Sequence, residues 1–540
     1  MSRTTTATRL ALLALAVAWT WPAAPVALGL VDPRVPASGF DALGTVWTLG
    51  RAPELLLGLH DPSTAWPAGG DYHRLDSWLL LPFGAAWQLV GGRDAATAAR
   101  AYSALILLAP LVNALSAEAV ARRLGAAAPA SLLAALAWGF NGHVATMLGE
   151  GHAYIALNPW APWLVVAVPR ALARGTATAG AAVGLLAAGC LATSAYALLL
   201  GALVGAAMST SGPVDPRGLA RAGAGFLLGF GPAAALWAVA FAGAATFAER
   251  VAEPYDVLVH TAAASSATLE GFGPPTPELD RTTFGHAYTL PATALALALA
   301  APRVLRADHR PLALLGVVAF VLSLGPTLFV GDLALPLPWR VALAIPGAGF
   351  IRFPARIGGL VSLAAGLLGA RVLASLDGRR WVVTALLGCA LVDTFGWVGL
   401  PRRLGTQSAD TPSAYGHGGS ILDLWPLAPR RDPQLAAWTR GWSCLAQLDH
   451  HRPIADHCQA TDDDTNPRVA VSLPVLDAAM RGDALAARAA LVGWSAVAVH
   501  VDRFDPDDAA RVLDTLGVLA AERRESHDGG EHLVVLELAP

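Results

Sequence analysis

The sequence predicts a mainly α-helical, polytopic membrane protein: a transmembrane helix bundle followed by a small C-terminal α/β domain. Three observations lead there. Of 540 residues, 55% are hydrophobic and 14% charged, and the mean hydropathy is +0.50, too apolar for a water-soluble chain of this length. Apolar stretches long enough to cross a bilayer follow one another from Leu10 to Leu400. The charge balance then reverses, with 26 arginines against 20 acids from Met1 to Leu404 and 11 against 20 from Gly405 to Pro540. Domains are therefore expected at 1–404 and 405–540, the second soluble and acidic.

All 37 basic residues are arginine, since the chain has no lysine. This excludes chemistry that needs an amine side chain, such as phosphate-loop ATP hydrolysis or Schiff-base catalysis. No basic tract interleaved with aromatics occurs, so nucleic acid is not an expected partner.

About eleven crossings are expected at roughly 17–25 apolar residues each. They are Leu10–Leu30, Ala96–Ala121, Ala127–Met147, Ile155–Leu172, Ala177–Thr193, Ala195–Met208, Leu219–Ala244, Tyr288–Ala301, Pro311–Val330, Ile357–Leu376 and Trp381–Leu400. Arginine should concentrate on the cytoplasmic side, and Arg122–Arg123, Arg170–Arg174, Arg217–Arg221, Arg303–Arg310 and Arg379–Arg380 fall in alternate loops. That parity puts the N-terminus in the cytoplasm, the C-terminal domain outside, and outer loops at 31–95 and 245–287. It also requires that Trp78–Val90, broken by Pro82 and Gly84, lie at the interface or re-enter. In the rival arrangement this segment crosses and one of the shorter spans does not. The first apolar run reads as an uncleaved anchor. Trp160, Trp163, Trp339 and Trp381 near segment ends suit an interfacial belt.

Beyond Ser420 the pattern shortens to β-like runs at Ser420–Leu424, Arg468–Leu473, Ala496–Val501 and His532–Leu538, with a helix-like stretch at Asp507–Leu516. Cys444 and Cys458 fall here and suit a disulfide in an oxidising compartment. His450, His451 and His457 between them leave a zinc site open, although their spacing matches no standard metal motif.

Polar residues crowd four outer regions. The first loop holds Asp41 and later Asp71, His73 and Asp76; Asp41 suits either a general base or a helix N-cap. Asn141-Gly142-His143 and Gly149-Glu150-Gly151-His152 could orient a substrate, bind a metal, shuttle a proton or simply cap helices. Arg352 and Arg356 run against the inside bias for arginine, which suits phosphate binding or lipid anchoring. The long loop Phe247–Gly285 carries charged and imidazole groups, among them Glu249, Arg250, Glu253, Asp256, His260, Glu270, Asp280 and Arg281, without assignable roles. Asp393, inside the last apolar run, is expected to bond Thr394 or a neighbouring helix.

Together, Asp41 after the first helix, the Gly69-Gly70-Asp71 loop, Gly151-His152 followed by Asn158-Pro159-Trp160-Ala161-Pro162-Trp163, and Arg352-Phe353-Pro354-Ala355-Arg356 resemble the GT-C type membrane glycosyltransferases. The closer likeness is to the bacterial branch related to lipoteichoic-acid-glycosylating proteins, and it spans nearly the whole chain. The resemblance implies transfer of a sugar from a polyprenyl-phosphate-linked donor to an envelope acceptor at the outer face of the bacterial cytoplasmic membrane, among membrane lipids. Asp41 would be the catalytic base. Asp71, His73, Asp76, His143, Glu150 and His152 would contact substrate, and Arg352 and Arg356 would hold the donor phosphate. Many relatives have paired acids in the first loop, whereas Ala42 follows Asp41 here and no Asp-x-Asp motif occurs in that loop. A divalent metal is thus left open as the one candidate cofactor. The competing expectations are a non-catalytic scaffold of the same fold and a lipid-linked saccharide transporter, which would place polar groups nearer the bilayer midplane.

Overall fold

The computed structural model describes residues 3–21, 23–36, 40–57, 60–61, 63–65, 70–71, 77–211, 215–242, 259, 291–305, 309–330, 333–344, 353–376, 378–397, 406–409, 411–426, 443–455, 458, 467–528 and 532–539. Among them, four helical stretches are long and apolar enough to cross a membrane: Ala95–Arg123, Ala128–Gly149, Pro216–Val239 and Pro354–Ala374. Shorter apolar helices include Thr4–Trp19, Leu80–Gly91, Ala177–Thr193, Ala195–Ser211, Ala292–Val304 and Arg310–Ser323.

The 29-residue helix Ala95–Arg123 is the axis of the bundle. Asp94 caps it by accepting from Thr97 N. Halfway along, Asn113 Nδ2 donates to Ala156 O (2.7 Å), Asn113 Oδ1 accepts from Asn158 N (2.8 Å), and Ser116 donates to Pro159 O (2.5 Å). The Asn158-Pro159-Trp160 run is therefore stitched to the axis by the interhelical hydrogen bonds that an apolar surround favours. Near its end the buried carboxylate of Glu118 pairs with Arg122 (3.4 Å) and with Arg9 of the first helix (3.6 Å).

Helices Ala177–Thr193 and Pro216–Ala242 meet through Gly180 and Gly184 on one and Gly225 and Gly229 on the other. A Cβ at any of the four would enter the partner's backbone, the close approach that small residues four apart permit. The outer face of the second helix presents Leu227, Leu228, Leu236 and Val239, each 58–75% exposed. So much exposed apolar surface on one helix belongs against lipid.

The apolar run Pro311–Val330 differs from its expectation. Its helix ends at Ser323, and Thr327–Val330 is a strand paired with Leu333–Pro336. Gly325, at φ +78°, and Pro326 stop the helix where hydropathy alone continues.

The C-terminal sheet has Ile421–Leu424 parallel to Ala496–His500, then Leu533–Leu538 and Ala520–Ser526 added antiparallel. Side chains alternate strictly across it. Leu422, Val497, Val499, Val534 and Leu536 pack on helices Pro467–Met480 and Pro506–Gly517. Ile421, Ala496, Ala498, Leu533 and Val535 join an apolar core continuous with the helix bundle. Arg468–Leu473, expected as a strand, instead lies inside the helix Pro467–Met480. A short pairing of Arg34–Pro36 with Thr406–Ser408 joins the first loop to the segment entering this unit. Cys444 and Cys458 are disulfide-bonded.

Candidate active site

Asp41 is the second residue of the helix Phe40–Gly50, and its side chain lies outside the described residues. The helix is held along its length by the disulfide segment. A Cβ at Gly44 would stand 2.9 Å from Cys458 O, Trp47 Nε1 donates to Gln447 Oε1 (2.9 Å), and Gly50 packs on Leu448. Gln447 Nε2 in turn donates to Ser63 O (2.7 Å), and Arg51 pairs with the buried Asp61 (2.9 Å), which fixes the turn that follows.

The second polar motif reaches the same helix. After helix Gly142–Gly149, Gly151 N donates to Leu148 O (3.3 Å) and His152 N to Met147 O (2.8 Å), with Gly151 at φ +89°. This paired arrangement is a Schellman cap, which needs a residue tolerant of positive φ at Gly151. Tyr102, buried in the axial helix, donates to Gly151 O (3.0 Å). The loop is thereby pressed on the first outer helix, since a Cβ at Gly151 would lie 2.7 Å from Ala42 N and 3.0 Å from Ala42 Cβ. Glu150 and His152 thus flank a glycine in contact with the residue next to Asp41.

The start of that motif caps as well. Asn141 Oδ1 accepts from Val144 N, while its Nδ2 donates to Ala137 O and Trp138 O, tying helix Ala128–Gly139 to helix Gly142–Gly149. His143 is buried against Gly359, where a Cβ would meet its ring at 3.0 Å. Three residues before Gly359, Arg356 is buried in the turn Pro354–Gly358, its guanidinium 4.5 Å from the Tyr196 ring and 4.4 Å from the Phe353 ring. Phe353 N donates to the Tyr196 hydroxyl (3.1 Å). His143 and Glu150 bracket one helix and stand roughly 10 Å apart along its axis, at 1.5 Å per residue.

Of the other expected site residues, Asp71 lies in a two-residue strand paired with His60–Asp61, and its side chain is outside the described residues. His73, Asp76 and Arg352 also lie outside them, as does the loop Phe247–Gly285 except Val259. Asp393 accepts from Thr293 N (2.7 Å) and so caps the neighbouring helix Ala292–Val304. His450 is buried, its Nδ1 accepting from Arg452 N, and His457 lies outside the described residues. Trp339 is buried, and Trp160 donates to Thr193 Oγ1, so neither is a simple belt residue. A cavity of about 280 Å³ lined by Leu124, Leu305, Arg371 and Ser375 lies past the far end of the axial helix and is not this site. Tyr102 and Tyr196 hold two of these turns and do not stand out in the sequence except as phenols within otherwise apolar spans, each needing a partner for its hydroxyl.

No protein-family model and no curated protein sequence matches the chain. Solved structures do. The cryo-EM structure of the arabinofuranosyltransferase AftD from Mycobacteria aligns with 100% of the chain at TM-score 0.54 and 16% identity. The apo crystal structure of the Archaeoglobus fulgidus oligosaccharyltransferase aligns with 95% of it at TM-score 0.53 and 10% identity. The chain has the GT-C fold. It spans 40% of the length of the AftD chain and 73% of the oligosaccharyltransferase chain. Within this GT-C fold, the capped loop at Gly151 and the disulfide segment both pack on helix Phe40–Gly50.

Proposed function

We propose that the protein is a membrane glycosyltransferase that moves a sugar from a polyprenyl-phosphate donor to an envelope glycan, lipid or protein acceptor at the outer face of the bacterial cytoplasmic membrane. The observation that carries this reading is the contact of Gly151 with Ala42, which brings the Glu150–His152 loop to the helix turn bearing Asp41. The GT-C fold and the lipid-facing apolar surface support it.

In the proposed step Asp41 takes the proton of an acceptor hydroxyl. That oxygen forms a bond to the anomeric carbon of the sugar, and the bond from this carbon to the phosphate oxygen breaks. Polyprenyl phosphate leaves with the electron pair. Arg352 and Arg356 oppose the charge that develops on it, the electrostatic task that usually dominates such catalysis. Arg356 suits it because a guanidinium packed over two rings holds its orientation. Glu150, His152 and His143 orient the two substrates, with Asp71, His73 and Asp76 of the first loop.

Mass spectrometry of envelope glycans and polyprenyl-phosphate sugars in wild-type, deletion and Asp41→Asn cells tests the reading, with membrane levels of the variant matched. Loss of one sugar increment in both mutants, with a lipid-linked sugar accumulating, is expected. Normal glycans in Asp41→Asn cells beside altered ones in the deletion would remove Asp41 as the base and favour a scaffold or a transporter.

A further inference from the structure

The hairpin Ala520–Ser526 and Leu533–Leu538, at the edge of the C-terminal sheet, gathers a carboxylate and two imidazoles at its closed end. Glu525 and His527 are two residues apart and project from one side, and His532 directly precedes the return strand beside them. His532 Nε2 lies 2.7 Å and His527 Nε2 3.6 Å from the same oxygen, Glu525 Oε1. The two rings are stacked 4.1 Å apart at 26°. All three donor atoms fall within 4.8 Å of one another, and this is the one such group of three among the described residues.

We propose that Glu525, His527 and His532 form a binding site for a divalent transition-metal ion of the Zn²⁺ or Co²⁺ class. Two imidazoles and a carboxylate are a ligand set that suits these ions and leaves a further position for water. Donors on a tetrahedral zinc at about 2.1 Å stand roughly 3.4 Å apart, so the observed spacing needs only side-chain rotation to close on an ion. Asp528 and His532 are both anchored to the rest of the domain. His532 N donates to Asp502 Oδ2 (2.8 Å), and Asp528 accepts from Ser413 N through both carboxylate oxygens (3.1 Å each). Such anchoring lowers the ordering cost of binding. Arg523 holds the second carboxylate oxygen of Glu525 (3.0 Å), the outer support that orients a metal-binding carboxylate.

The proposal stands independently of glycosyl transfer, and its test reads metal alone. Full-length protein in detergent is stripped with chelator and titrated with Co²⁺, followed by visible absorption, and with Zn²⁺, followed calorimetrically and by thermal unfolding. The wild type should bind one equivalent, develop the Co²⁺ band and unfold at higher temperature with Zn²⁺. Because even loss of an outer-shell partner weakens metal binding roughly 10–100-fold, His527→Ala and His532→Ala should each weaken it at least about tenfold. His451→Ala, outside the cluster, should not. Unfolding of the metal-free variants at the wild-type temperature keeps misfolding apart from ligand loss. Equal uptake and equal Zn²⁺ stabilisation in the wild type and both hairpin variants would overturn the site, as would no Co²⁺ band in the wild type.

Discussion

Gly151 touches Ala42 backbone to backbone: a single added carbon at Gly151 would stand 2.7 Å from the amide nitrogen of Ala42. The same glycine holds φ +89° to close the cap on helix Gly142–Gly149. One residue therefore sets both the end of one helix and its distance from another.

Gly151→Ala should consequently separate the Glu150–His152 loop from the Asp41 helix. Left-handed backbone costs an alanine about 1–2 kcal/mol, and relieving the clash displaces the loop. Glycan transfer should fall far more than membrane level does, since misplacement by about 1 Å can cost a hundredfold in rate. Full transfer by this variant at normal expression would show that the contact is not needed.

Arg356 and Tyr196 give a paired test. Arg356→Lys keeps the charge but loses the planar stack on Tyr196 and Phe353, contacts worth about 0.5–2 kcal/mol each. Tyr196→Phe keeps the ring and removes only the hydroxyl that accepts from Phe353 N, a loss of about 1 kcal/mol. Thermal unfolding in detergent should rank Arg356→Lys below Tyr196→Phe, and transfer activity should follow that order. The reverse order would mean that the hydroxyl, not the stack, positions this turn.

Asp449 bridges the disulfide segment to the bundle, accepting from Ala95 N (2.9 Å) and Thr411 Oγ1 (2.5 Å). It thus shares the N-terminus of the axial helix with Asp94. Asp449→Ala should cost about 1 kcal/mol, as other cap losses do, and should speed amide hydrogen exchange at both residues 95–98 and 443–450. Exchange that quickens in only one of these places would show that the two ends are not coupled through Asp449.

The long apolar helices were legible because lipid or packed helices surround them, so hydropathy alone carries the signal. Length was less legible: Gly325 and Pro326 turn Pro311–Val330 into a helix and a strand of equal apolarity. Arg468–Leu473 reads as β-like by composition, yet it opens the helix Pro467–Met480, whose later residues Val475, Leu476 and Ala479 cover the sheet. The strand Ala520–Ser526 was invisible because Glu522, Arg523, Arg524 and Glu525 give it no apolar alternation, as suits an edge strand. In the candidate site, Glu150, His143 and Arg356 could be named from residue type and position. The contact that brings the Glu150–His152 loop to the Asp41 helix joins Gly151 to Ala42, residues more than a hundred apart, and no local pattern reports it.

His450 makes the last prediction, a pH dependence. Its ring stacks on Tyr415 at 4.6 Å, and its Nδ1 accepts from Arg452 N, which requires an unprotonated Nδ1. Burial pushes its pKa down to about 3; the nearby Asp423 carboxylate works the other way, and Arg452, His451 and His417 add to the depression. Between the ordinary value of 6.5 and about 3, the unfolded chain binds a proton at this position and the native protein does not. Stability must therefore fall as pH falls through this window, by up to about 1.4 kcal/mol per pH unit for one proton. His450→Phe keeps a flat ring on Tyr415 and removes the proton site, at the cost of leaving Arg452 N without its acceptor. The variant should be less stable than the wild type at pH 7, and the difference should narrow steadily from pH 6 to pH 4. The depressed carboxyl of Glu525 titrates in both proteins and cancels from the comparison. Chemical unfolding of the full chain in detergent at pH 7, 6, 5 and 4 reads the two slopes, and parallel curves would mean that His450 takes up its proton in the folded protein as readily as in the unfolded one.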